Sequence, residues 1–189
     1  MGLFFKVSDK ELLKIRNELF TEHGIPALKS NDFVKSPFST AWFGKNNLGD
    51  YTYELCRILD GVSLEVVETH ISKGDNSIKI FLNIFALDPK VNSIDELKGV
   101  DGLQYHLPPN SLTNMHLRID DYKGIPLFRT KEHRLKSFNS AAGLKKSAED
   151  LGNLIASDLA DINSFVKKWH ELHRPLTTDW EGKGLARGR

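Results

Sequence analysis

Apolar positions follow a helical spacing at the start of this chain, a strand spacing in its middle, and a helical spacing again towards its end. Ser8 precedes the first periodic run and Glu11 follows three residues later, the arrangement of a capping box. Leu12, Ile15, Leu19 and Phe20 then share one helical stripe, which Gly24 and Pro26 are expected to end. Residues 26–49 are rich in Pro, Gly and Asn and read as irregular chain. Phe38, Trp42 and Phe43 lie within them and are expected to cap the core, with a pocket wall as the other use of such a cluster.

The middle of the chain reads as β structure. Residues 50–59 carry alternating Tyr51, Tyr53 and Leu55, and Asp60-Gly61 is a dipeptide suited to a tight hairpin. Residues 62–71 form the next strand, SKGDNS (72–77) a polar turn, and residues 78–87 a third strand with Ile78, Ile80, Leu82 and Ile84 on one face. Three strands in succession make an antiparallel meander. Ser93 and Glu96 predict a short helix closing at Gly99, and residues 103–107, 113–119 and 126–130 are weaker strand candidates.

From Ser147 to His173 the apolar residues Leu151, Leu154, Ile155, Leu159, Ile162, Phe165, Val166 and Trp169 are three or four apart. A single helix here would run roughly 40 Å at about 1.5 Å per residue. Asp161 is the place for a break into two. The fold class predicted is therefore α+β: an antiparallel β-meander sheet with an N-terminal helix and a long C-terminal helix covering one face. Residues 1–175 are expected to form a single domain. Residues 176–189, without periodicity and with three glycines, are expected to form a flexible tail.

Composition narrows the function classes. The 26 basic and 25 acidic residues leave a formal charge of +1, so any pull on nucleic acid or anionic lipid has to be local. The one cysteine, Cys56, excludes an intrachain disulfide and a multi-cysteine zinc site, and mid-strand it reads as a small core side chain. The opening MGLFFKVSDKE does not read as a signal peptide, and Lys6 stands where a myristoylation signal has Ser or Thr. No apolar run is long enough for a membrane span, and a soluble, cytoplasmic protein is the expectation.

Catalytic patterns are incomplete. WHELHRP (169–175) sets His170 and His173 one turn apart, but zinc needs a third ligand and the second histidine is one residue early for H-E-x-x-H. Basic groups near a helix C-terminus account for this stretch without a metal. His70-Ile71-Ser72 is half of a paired H-x-[ST] phosphoesterase pattern, and no second copy exists. No cofactor or metal is expected. Along TNMHLRID (113–120), Asn114, His116, Arg118 and Asp120 alternate with apolar residues, so a strand here would align a base, an anion binder and a carboxylate. Together with Trp42 they are the candidate ligand-binding residues, for an anionic ligand or an enzyme site. The segment from Arg118 to Lys146 has an excess of basic residues, densest at FRTKEHRLK (128–136). Arg129, Lys131, Arg134 and Lys136 are therefore candidate contacts for nucleic acid or an acidic partner, with tail residues Lys183, Arg187 and Arg189 added. The leading expectation is a non-enzymatic binding or regulatory protein acting through a protein partner. Nucleic-acid binding and a small-ligand or enzyme site are the alternatives.

Overall fold

The computed structural model describes residues 5–100, 112–122 and 132–180. The first helix, α1 (Asp9–Leu19), starts where its cap predicts: the Ser8 hydroxyl accepts the Glu11 backbone N–H at 3.2 Å. It does not stop at Gly24. A π turn (Phe20–Gly24), in which the Ile25 N–H reaches Phe20 O, carries it into α2 (Ile25–Lys29). Pro26 sits in the first turn of α2, where its missing N–H costs least. Leu13, Phe20, Ile25 and Leu28 face the core, and so does Arg16, whose guanidinium donates to Ser72 O and Ser77 O. The SKGDNS turn is thus held from beneath by a buried cation.

Seven described strands form one sheet: β1 (Val34–Lys35), β2 (Phe43–Lys45), β3 (Tyr51–Leu59), β4 (Ser63–Ile71), β5 (Lys79–Leu87), β6 (Met115–His116) and β7 (Leu176–Thr178). The expected meander is its centre, with β3, β4 and β5 pairing antiparallel in succession. Asp60 and Gly61 take φ of 53° and 71°, as the primed hairpin turn requires. A side chain at Gly61 would also run into Val91 O, 2.6 Å from an ideal Cβ. Each edge of the meander is shared by two short strands. On the β3 edge β1 pairs with residues 55–56 and β2 with 51–53. On the β5 edge β6 pairs antiparallel with residues 81–82, and β7 pairs parallel with 85–87.

The C-terminal helix is two helices that meet at Asp161: α3 (Ala141–Ala160) and α4 (Ile162–Leu172). It begins earlier than the periodicity predicts, because Ser140 caps Gly143 N at 3.1 Å. The helices cover one sheet face. Leu55, Val67 and Leu82, aligned across the meander, meet Phe20, Ile155, Leu159, Ile162, Phe165 and Trp169 in the main core. Gly152 lets α3 approach the N-terminal helix, since a Cβ there would lie 2.9 Å from the His23 ring. Leu154 is only half-buried.

The sheet also has a cover on its other face. Phe38, Cys56, Leu64, Val66, Phe85, Leu87, Val91 and Leu97 form a second cluster, with Trp180 packed against it. With both faces covered, polar residues of the strands such as Glu54, Arg57, Glu65, Thr69 and Asn83 are buried as well. The expected tail is ordered at its start: Leu176–Thr178 is strand, Thr178 is buried, and the Trp180 indole donates to Pro89 O at 2.7 Å. Residues 181–189, the strand candidates at 103–107 and 126–130, and the tail cations lie outside the described residues. No helix among the described residues is long and apolar enough to cross a membrane.

Candidate functional site

The polar row expected along residues 113–120 does not exist as a row. The strand lasts for Met115 and His116 only, and the chain then turns. The cause is local. The Asp120 carboxylate accepts the His116 backbone N–H at 2.6 Å, and the Asp120 and Ile119 N–H groups both return to His116 O. A short acidic side chain has taken the place of the next strand's backbone groups. Arg118, at φ 65°, is carried out of the sheet direction and towards the helices. There it forms a two-pronged ion pair with Asp158 of α3, and His133 Nε2 meets the same carboxylate at 2.8 Å.

Asp158 and His133 are buried, and Arg118 is part-buried. Desolvation pushes the Asp158 carboxyl upward, but hydrogen bonds from Arg118 and His133, together with their charges, outweigh it and hold the group below the ordinary range. Arg118 is raised, chiefly by its hydrogen bond to Asp158. The His133 side chain is 1% exposed. An arginine neutralised by a buried aspartate is no longer an anion binder, and a sealed imidazole cannot meet a substrate. The arrangement ties the 113–121 turn to α3. Lys168 to Asp121 (2.9 Å) and the Trp169 indole to Thr113 O (2.7 Å) tie it to α4.

His116 remains on the sheet face away from the helices, while Asn114 precedes the strand. By register, Glu54, Glu68, Phe81 and His116 form one line across β3, β4, β5 and β6. Trp42 extends it, because the Glu54 N–H donates to Trp42 O. Trp42 and His116 therefore occupy opposite ends of a row roughly 19 Å long at about 4.8 Å per strand, and do not meet in a cleft. Between them His70 Nε2 lies 3.1 Å from Glu68 Oε1, and the Phe81 ring packs against both His70 and His116. Burial lowers the His116 pKa more than Asp120 raises it, so its imidazole is neutral at neutral pH. Among the described residues no group of three His, Cys, Asp or Glu side chains is placed to hold a metal ion. The rings of His170 and His173 pack on Trp169. Burial pushes the Cys56 thiol well up, which leaves no thiolate for nucleophilic attack.

Of the basic candidates, Arg129 and Lys131 lie outside the described residues. Arg134 and Lys136 line a groove of about 590 Å³ against α3, floored by Leu151 and Leu154. Lys136 is paired with Asp150 at 2.9 Å, and Glu132 lines the same groove, so its charge is mixed.

The opposite edge differs. β1 and β2 are one edge strand interrupted at Glu54, which takes the Ser36 N–H on its carbonyl and gives its own N–H to Trp42 O. The five residues between, 37–41, leave the ladder and send Phe38 into the second core. Sequence reasoning expects all three aromatics to cap the core, but Trp42 and Phe43 do so only in part: they are 43% and 37% exposed, beside Val34 at 43% and Leu48 at 89%. Lysines frame them. Lys35 Nζ sits 5.5 Å from the Phe43 ring centre, and a groove of about 330 Å³ beside β2 is lined by Lys10, Lys14 and Lys45 over Leu13 and Tyr51. Two lysines bracketing a Trp-Phe pair in a Pro- and Gly-rich stretch is the signal that was available in the sequence. Comparison with family models, with curated proteins and with solved structures gives no match.

Proposed function

We propose that this chain is a non-enzymatic binding protein that docks a protein partner on the β1–β2 edge of its sheet. One observation supports this reading above others: three large apolar side chains, Val34, Trp42 and Phe43, stand part-exposed along a single edge, with Leu48 exposed in the turn that follows it. Exposed apolar residues scattered singly need no explanation, but a run along one sheet edge is characteristic of an interaction surface. His133 and Cys56 lend no support to a catalytic reading because they are sealed, and Arg118 is already paired. The mixed charge around Arg134 and Lys136 weakens the nucleic-acid reading.

The test is co-purification from the source cell with the wild-type chain, a Trp42→Ser/Phe43→Ser variant and an Arg134→Ser variant. A partner retained by wild type and by Arg134→Ser but lost by the edge variant supports the proposal. A partner retained equally by all three contradicts it.

A further inference from the structure

Resting on that reading, we infer that the segment docked at this edge is acidic and extended, with its carboxylates seated between α1 and β2 and an apolar side chain over Phe43. The electrostatics of the groove point this way. Lys10 and Lys14 lie one turn apart on α1, so both project to one side, and Lys45 faces them from β2. Lys35 adds a fourth cation over the Phe43 ring. Lys14 is partly offset by Glu18 at 3.5 Å, with both side chains largely in water. Among the described residues Lys10, Lys35 and Lys45 have no carboxylate partner. Glu11 is the one acidic residue lining the groove. Three lysines line the groove over Leu13 and Tyr51 and Lys35 stands beside it. With Lys14 offset by Glu18 and one carboxylate, Glu11, in the lining, the remaining positive charge is complementary to a chain that alternates acidic and apolar residues.

The backbone points to an extended occupant. Trp42 O accepts from Glu54 and Asn46 N donates to Asp50 O, so the even-numbered residues of this strand bond inward to β3. By the alternation of an antiparallel ladder, Phe43 and Lys45 turn their N–H and C=O groups outward. β2 pairs with β3 alone among the described strands. The outward run is short, because residues 37–41 leave the edge and Gly44 takes a φ of 132°. Main-chain pairing is therefore brief, and binding depends chiefly on the lysines and Phe43.

A single-stranded nucleic acid also seeks lysines and aromatics, but the geometry disfavours it. Trp42 immediately precedes β2 and lies opposite Glu54, whereas Phe43 lies opposite Tyr53, so by register their side chains fall on opposite faces of the sheet. They cannot stack successive bases on one platform. A partner protein that straddles the edge can use both.

The experiment is fluorescence anisotropy on the full chain, with three labelled probes: a peptide alternating Asp or Glu with Leu, the same peptide with Lys for the acids, and oligo(dT). The acidic peptide is expected to bind. Its affinity falls by about tenfold or more in Lys10→Glu/Lys45→Glu and drops with added salt, as exposed charge pairs do. Both lysines are exposed, so the variant keeps its fold, checked by an unchanged thermal transition. Acidic-peptide binding that is indifferent to the charge reversal, no acidic-peptide binding, or preference for oligo(dT) would each overturn the inference. The two readings fail separately. If the co-purified partner is lost on Trp42→Ser/Phe43→Ser but kept on Lys10→Glu/Lys45→Glu, the edge remains the docking surface and its acidic occupant is wrong.

Discussion

The two edges of the sheet are built alike and used differently. Each carries two short strands on one side of the nine-residue meander strands. On the β5 edge the polar groups are consumed by the fold: Arg118 and His133 on Asp158, Lys168 on Asp121, Trp169 on Thr113 O. On the β3 edge no helix or loop among the described residues covers the side chains fully, and part-exposed aromatics and lysines stand side by side. Residue types that look most like chemistry therefore serve as fastenings, and residue types that look like core form the accessible surface. Partner chemistry decides the role of a side chain more than its own reactivity does.

Substitutions can break this contrast. The largest effect is expected at Asp158. Asp158→Ala leaves buried His133 and part-buried Arg118 without their carboxylate, and because Arg118 retains some solvent the loss is placed at about 2–4 kcal/mol, at or below the range for a fully buried pair. Urea denaturation measures it. Trp169→Phe removes a buried indole that donates to Thr113 O; loss of the bond and of the volume costs about 1–3 kcal/mol in the same assay.

Acid sharpens the comparison further. The folded Asp158 carboxyl lies below its ordinary value of about 3.9, so the unfolded chain binds its proton first as pH falls. Its stabilising contribution is full above about pH 4 and is lost as pH drops through the lower folded value. Asp158→Asn is expected to flatten that part of the stability curve in chemical denaturation followed over acid pH. Smaller still is the effect at the other edge. Trp42→Ser and Phe43→Ser are each expected to cost about 1–2 kcal/mol, since more than half of each residue is covered but neither is sealed. A cost at Trp42 equal to that at Asp158 would erase the distinction between the edges. The smallest signal is chemical: Cys56, paired in register with Val34, is expected to resist a thiol reagent in the native state and to react once urea opens the chain.

How far these features were legible in the sequence follows from the range of the forces involved. The meander was readable because its turns are local: Asp60-Gly61 and SKGDNS carry their own backbone requirements, and Ile80, Leu82 and Ile84 alternate as one buried face demands. The Ser8 cap was readable for the same reason, and the break at Asp161 fell at the residue the sequence offers for it, although its side chain caps no backbone N–H. The start of α3 was not, because Ala141, Ala142 and Gly143 show no apolar period and only the Ser140 cap marks the turn. Nor was β7, whose three residues become a strand by lying beside β5, far away in the chain. The fate of Arg118 depends on Asp158, forty residues on, and on Asp120 closing the turn. No local pattern encodes that pairing. Trp42 and Phe43 misled for a complementary reason: hydrophobicity favours burial on average, and exposure at one edge depends on the five-residue excursion that buries Phe38 instead.

The docking edge is tested most directly by residue-resolved hydrogen exchange, with the free chain compared against the chain saturated with the alternating acidic peptide. In the free chain the Phe43 and Lys45 amides are expected to exchange rapidly, while Leu117, which donates to Ile80 O, stays protected. With peptide, protection should rise at Phe43 and Lys45 and remain unchanged at Leu117 and along residues 132–136. Protection that appears along residues 132–136, or free-state exchange at Phe43 and Lys45 as slow as at Leu117, would contradict the assignment of the β1–β2 edge as the open surface of this protein.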